Sequence, residues 1–482
     1  MLCGVFILTK LSFFPTNTRT TSLTRLNVDN VPKVGCFCRK YPLELRLAEP
    51  DSPWSGIGVS ARGPEAGRVQ VFDSLQRVRH LPYFTELAAL EERDPSWRAV
   101  TAGLVLLRLV DAWIEEGAAV VAADGWGVRS VAACLEEMPA GLPARAILMS
   151  ALDALTSAPC GDMHAVTPRL MAYARTLDAD AKWGLAADVY ETVIAHSDPS
   201  RDSDDAISAH VRLSYCRRQL GELDEAEAVA LQAGRIAQAA GDLIGSLDAR
   251  IAEAKVSIAR GNYPRAETML DETIRSAEVA DLQHFRAKAI QERADVAHLK
   301  GDYEYAIKLG YEALDNLADD RLRDRMLGDI AGAFYSLGVR SAARDAYTLL
   351  AVTAQEQYVR WTSAINLMEI AADDGSLPLF ERHRRQLESA ALPPLLRAQF
   401  LVHAGVGLCR LGDPAGARRN LTEAIAFGAR YGYNHLVFQA DAQLAGLSDL
   451  PRVAPGEAPV PVGLAIIATE IHHRSAGVIA LR

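Results

Sequence analysis

From about residue 70 onward, apolar residues recur three and four positions apart. FDSLQRVRHLPYFTELAALEE, SWRAVTAGLVLLRLVDAWIEEG, GVRSVAACLEEM and LPARAILMSALDALTSA each carry this spacing. It lays an apolar stripe along one side of an α-helix. Gly-Pro and Gly-Ala breaks separate several of the runs. No stretch alternates apolar and polar positions between turn residues, as a half-buried strand would. The pattern predicts an all-α fold, with helices from about 70 and little periodicity before residue 60.

A longer period overlies the short one. RGNYPRAETMLDETI at 260–274 is echoed by LGELDEAEAVALQAG at 220–234 and KGDYEYAIKLGYEAL at 300–314. Aligned on the glycine, the anchors are Ala181, Gly221, Gly261, Gly301, Gly338, Gly375 and Gly412, spaced 40, 40, 40, 37, 37 and 37 residues apart. Five residues beyond each anchor stand Ala186, Ala226, Ala266, Ala306, Ala343, Phe380 and Ala417. Seven before it stand Ala174, Ser214, Ala254, Ala294, Ala331, Met368 and Gly405. Twelve beyond it stand Val193, Ala233, Thr273, Ala313, Leu350, Leu387 and Ala424. A fixed period of this size signals a helical solenoid.

Each position has a physical reason. The anchor ends the first helix of a pair, where a left-handed residue is needed and a Cβ is a penalty. Asn262, Asp302 and Asp413 follow it and can cap the second helix. Pro264 and Pro414 fall in that helix's first turn, where no N–H is required. The small residues mark where two antiparallel helices approach most closely. Trp183, Leu223, Tyr263 and Tyr303 fill the wedge between helices. Each pair leaves an apolar face that only the next pair covers.

These residues resemble the tetratricopeptide repeat, most clearly in Gly301-Asp302-Tyr303 with Ala306 and Ala313-Leu314. Gly261-Asn262-Tyr263 with Ala266 and Leu270, and Gly412 with Gly405, Ala417, Leu421 and Ala424, carry the same likeness. The resemblance covers roughly three fifths of the chain and implies a right-handed α-α superhelix with lengthened 37–40-residue repeats, against about 34 in the usual form. Such lengthened repeats resemble those of bacterial regulators and signalling adaptors. The sixth copy departs from the pattern at Met368, Phe380 and Arg384, so looser packing or another angle is expected there, read as a bend or as a partner-docking irregularity. The domain reading is a disordered leader or non-native extension over 1–60, a helical domain over 61–160, and a solenoid of about seven pairs over 161–450. A Pro-rich linker and tail occupy 451–482.

By the same resemblance, the solenoid binds an extended peptide or helix in the groove lined by the first helix of each pair. The expected groove residues are Arg175, Tyr215, Arg218, Lys255, Lys288, Asp295, His298 and Arg325. Asp248, Tyr335 and Glu369 also fall on outward positions of these helices. The modest basic lean favours an acidic or amphipathic partner. Family members that grip a terminal carboxylate need Lys and Asn one turn apart. Met171/Arg175, Val211/Tyr215 and Ile251/Lys255 do not match.

The chain has 482 residues and a net charge of −10, which argues against a general nucleic-acid binder but leaves room for a local basic groove. Ala122 to Leu135 has the glycine turn of a helix-turn-helix. Its second helix offers Arg129 alone, followed by Ala132, Ala133 and two glutamates, which favours an ordinary helical hairpin. The seven cysteines include no CxxC pair and fit a reduced, cytoplasmic setting. The apolar start MLCGVFILTKLSFFP lacks a basic n-region and a nearby cleavage site, and no apolar run reaches the ~20 residues of a membrane span. The acid-free, Ser- and Thr-containing stretch over 1–28 resembles an organellar transit peptide, but a leader or extension outside the fold is the preferred reading. Phosphate-loop, HExxH and GxSxG motifs are missing. Cys160 near His164, and His472-His473 near the end, are weak candidates for chemistry. The expectation is a non-enzymatic protein-binding scaffold without cofactor or metal. The alternative is the sensor region of a bacterial regulator whose N-terminal helices contact DNA or a ligand.

Overall fold

At all seven anchors the backbone turns left-handed, from φ 57° at Ala181 to φ 90° at Gly412. The next residue donates its amide across the helix end: Lys182 to Leu177, Asn262 to Ser257 and Asp302 to Ala297, each at 2.9 Å, and Asp413 to Leu408 at 2.8 Å. This loop satisfies carbonyls that the helix itself leaves open. Expected caps close the start of the second helix. Asn262 accepts from the Arg265 amide at 3.4 Å, Asp302 from Tyr305 at 3.3 Å and Asp413 from Gly416 at 2.8 Å.

The computed structural model describes residues 79–90, 94–122, 125–159, 161–314, 317, 319–431, 433–447 and 456–480. The readings of residues 1–60, the leader among them, lie outside these. The fold is that of one compact unit containing Pro82–Arg482. Among the described residues there are α-helices and short 3-10 turns but no strands. Four helices come first: α1 (Leu81–Ala89), α2 (Pro95–Glu116), α3 (Trp126–Glu136) and α4 (Pro143–Ser157). Seven pairs follow. They are α5 (Thr167–Ala179) with α6 (Trp183–His196), α7 (Ser203–Gln219) with α8 (Leu223–Ala240), and α9 (Leu243–Ala259) with α10 (Tyr263–Val279). Next come α11 (Gln283–Leu299) with α12 (Tyr303–Leu314), and α13 (Asp320–Ser336) with α14 (Arg340–Thr353). The last two are α15 (Gln357–Asp373) with α16 (Leu377–Glu388), and α17 (Pro394–Arg410) with α18 (Pro414–Arg430). After α19 (Asn434–Ala445) the chain ends in α20 (Ala465–Ala480). From α2 to α19 consecutive helices pack on one another, giving an all-α solenoid.

The in-register small residues form its core. Ala266 and Ala417 are 0% exposed and Ala306 is 4% exposed, and every other position of the three small-residue registers is also buried. Of the expectations for the sixth pair, looser packing is not met. Met368 and Phe380 are fully buried. Room for the Phe380 ring comes from Gly407 on α17, where a Cβ would lie 2.4 Å from Cε2. Arg384, in place of an apolar residue, bonds Glu381 at 2.9 Å and also pairs with Glu388.

The N-terminal helices share the core of the first pairs: Tyr83, Trp113, Leu148, Leu170, Tyr190 and Leu213 belong to one apolar cluster. The most apolar window, Ala118–Glu136, has a mean hydropathy of 1.3. It is divided between a 3-10 turn and the 11-residue α3, which at ~1.5 Å per residue falls well short of a bilayer core. The ends of the array also meet. Trp183 of pair one stands edge-on to Tyr433 at 6.3 Å, and Ala181 and Trp183 pack on Leu395, Ala398, Tyr433 and Leu436. The tail returns to pair five. Leu464, Ile467 and Ile471 join the core of α13 and α14, Ala458 donates to the Gly338 carbonyl at 3.0 Å, and His472 meets Asp345 at 2.8 Å.

Two stability measurements check this packing. Gly407→Ala destabilises by about 1–3 kcal/mol in urea unfolding, and adding Phe380→Leu recovers most of that loss. Ala181→Gly, which removes a Cβ from a left-handed position, stabilises by about 1 kcal/mol.

Candidate functional site

The repeated turns give successive first helices the same orientation, so equivalent residues line up along one face. A cavity of about 200 Å³ opens there, lined only by residues of α5, α7, α9, α11 and α13. Arg175, Tyr215, Arg218, Lys255, Lys288 and Arg325 all line it. Six of the eight expected groove residues are thus brought together. Asp248 lines it as well, and so do Arg212 and Glu292, which the sequence reading passed over. They lie three residues before Tyr215 and four after Lys288, on the neighbouring helical face, which was the available signal.

Asp295 and His298 are placed elsewhere. With Ala306, Gly310, Met326 and Asp329 they line a void of about 10 Å³ between pairs four and five. Asp295 occupies the repeat position of Tyr215 and Lys255, and His298 that of Arg218. Long side chains reach the groove from these positions. The shorter ones stay at the helix contact, where His298 meets Ser336 at 3.3 Å and the Tyr303 ring edge-on at 4.9 Å.

A polar seam joins each first helix to the next. The Cys216 thiol donates to Asp178 at 3.0 Å, Gln291 Nε2 to Asp329 at 2.7 Å and the Tyr335 hydroxyl to Asp373 at 2.5 Å. Lys288 bonds Asp248 at 2.5 Å, and Lys255 bonds Glu292. Further along, Tyr335 and Glu369, also read as outward, take part in the seam. His403 lies 2.9 Å from Glu369, and Arg410 pairs with Asp373. Although burial opposes it, His403 and Arg410 hold the Glu369 carboxyl below the usual range. These bonds each span about one repeat and fix the register of neighbouring pairs.

The remaining candidates have structural settings. α3 packs on α2 through Gly127, where a Cβ would meet Leu109 at 2.5 Å. Arg129 is exposed on it, as is Glu136 two turns further on, and Glu137 bonds Arg98 at 2.6 Å. His164 lies 3.3 Å from Asp202, and Cys160 is outside the described residues. Among the described residues no group of three or more His, Cys, Asp or Glu could hold a metal ion.

No family model and no curated protein matches the chain. Among solved structures, it is similar to the crystal structure of a Rap protein complexed with competence and sporulation factor. The identity is 12%, the TM-score is 0.39, and the match covers 73% of this chain and 98% of that one. A likeness of that size carries no assignment.

Beneath the groove, burial pushes the Asp329 carboxyl up to about 7, with Gln291 opposing and Glu292 adding to the rise. Burial, then Asp329 and Glu292, raise Asp295 well above the ordinary carboxyl range. Burial pushes His298 down to about 4. A carboxyl raised on folding binds its proton more tightly in the folded chain. Its contribution to stability is therefore full below about pH 4 and is lost as pH rises toward about 7. His298 acts in the opposite sense, its contribution being lost as pH falls from about 6.5 toward 4. Asp329→Asn keeps an acceptor for Gln291 and removes the titration. In urea unfolding, the variant gains on the wild type by on the order of 1–3 kcal/mol between pH 5 and pH 8. An unchanged difference across that range contradicts the assignment.

Proposed function

We propose that the protein is a non-enzymatic, cytoplasmic helical-repeat adaptor of the tetratricopeptide kind. It holds a peptide or protein segment, acidic or amphipathic, against the first helices of pairs one to five. No cofactor, nucleic acid or membrane is needed. One observation supports this most: a single cavity draws its lining from the first helices of five consecutive pairs, with six cationic side chains around it. An extended ligand running across the pairs meets polar anchors at each step, with Val211, Ile251 and Leu322 as apolar floor between them. Clefts that mix apolar walls with a few placed polar groups suit ligand recognition.

The sensor alternative has less behind it. α3 would meet DNA with Arg129 as its one cationic side chain and Glu136 two turns on, where phosphate contact needs a basic face.

Ser208 lines the cavity and is half-buried. Ser208→Trp therefore fills the groove without altering charge. Peptides selected from a random displayed library on the immobilised full chain bind the wild type and lose at least tenfold in affinity to this variant. If selected peptides bind both proteins alike, or none can be selected, the proposal fails.

A further inference from the structure

Six cations line the groove, but they are not equivalent. Lys255 bonds Glu292, Lys288 bonds Asp248 at 2.5 Å, and Arg325 holds Glu356 by a fork of 2.6 and 2.7 Å. These three are neutralised within the fold. For Arg175, Arg212 and Arg218, by contrast, the described residues supply no hydrogen bond or ion pair. Carboxylates act on them only at a distance: Asp205 and Arg175 sense one another, as do Asp178 and Arg212, and Glu292 and Asp295 act on Arg218.

Three of those carboxylates have other contacts. Asp178 accepts from Cys216 at 3.0 Å and from Tyr190 at 2.8 Å. Glu292 is held by Lys255. Asp295 is raised well above the ordinary range, chiefly by burial, and lines the void between pairs four and five. Burial also lowers the Arg218 value, as expected where the surroundings compensate a guanidinium poorly. Arg218 lies 5.5 Å from the Tyr215 ring centre, which fixes it against one wall. A cation partly withdrawn from water, as Arg218 is, is costly unless it is paired. Here, in a chain of net charge −10, three cations without a hydrogen bond or ion pair gather at one end of one groove.

We propose that this end, formed by Arg175 of α5 with Arg212 and Arg218 of α7, is an anion subsite. It receives at least two acidic side chains of the bound peptide segment. The proposal rests on the groove reading above and adds the ligand's charge and polarity. Arg212 and Arg218 are six residues apart on one helix, roughly 9 Å along its axis. One carboxylate does not span that distance. Two acidic residues separated by one position in an extended segment, about 7 Å apart, do so with the reach of the arginine side chains. The acidic stretch lies over pairs one and two, and the rest of the ligand runs toward Arg325.

The probe is a fluorescein-labelled hexaglutamate with an amidated C-terminus, followed by anisotropy on the full chain. Hexaserine serves as the uncharged comparison. Hexaglutamate binds saturably, more weakly at higher salt, and hexaserine does not. Arg212→Met and Arg218→Met each weaken binding at least fivefold, with folding checked by circular dichroism. Arg175→Met, on an exposed position where folding is not at stake, does the same. Arg98→Met combined with Glu137→Gln removes an ion pair outside the groove at constant net charge and changes affinity less than twofold. The subsite is overturned if hexaglutamate does not bind up to millimolar concentration, or if the arginine variants bind as the wild type does. If that happens while library-selected peptides still depend on Ser208, the groove reading stands without the subsite. Hexaglutamate binding that survives Ser208→Trp overturns both.

Discussion

The structure depends on how closely two α-helices come together at a few fixed points. Ala226, Ala266, Ala306 and Ala417 are buried where the second helix of a pair meets its neighbours. Ala174, Ser214, Ala254 and Ala331 do the same on the first helix. A methyl or hydroxymethyl side chain lets the axes approach and the flanking Leu, Ile and Tyr side chains interlock. With the left-handed turn between them, this sets one geometry for each pair, and repeating that geometry aligns the first helices. The sixth pair shows that the constraint is on shared volume and not on one position. Phe380 is accommodated because Gly407 opposite it has no side chain.

Alignment of the first helices has two chemical consequences. Toward each other they form a seam of hydrogen bonds about one repeat apart, from Asp178–Cys216 through Asp329–Gln291 to Asp373–Tyr335. Away from each other they line a cavity with six cationic side chains, three of them paired with carboxylates. The contact of Trp183 with Tyr433 joins pair one to the segment after pair seven. The return of α20 onto α14 covers an apolar face on the second-helix side.

The period and its small residues were legible in the sequence because a positive φ and a close helix contact each restrict residue type at a fixed spacing. Six groove residues were legible for a related reason: outward positions of the first helices recur with the same period. Asp295 and His298 were misplaced because position alone does not decide where a side chain ends. The long side chains of Tyr215, Lys255 and Arg218 carry them into the groove, and shorter ones at the same positions remain between helices. The Phe380–Gly407 exchange, the joined ends and the docking of the tail depend on partners 27 or more residues away in the chain. No local pattern encodes them.

The most direct measurement of the central claim is the unfolding free energy of the full chain with Trp at the in-register alanines, one at a time. Ala266→Trp and Ala306→Trp should each lower it by about 1–3 kcal/mol or more through overpacking, while Trp at the exposed Glu225 leaves it within about 0.5 kcal/mol. Tryptophan tolerated equally at all three sites would contradict the account.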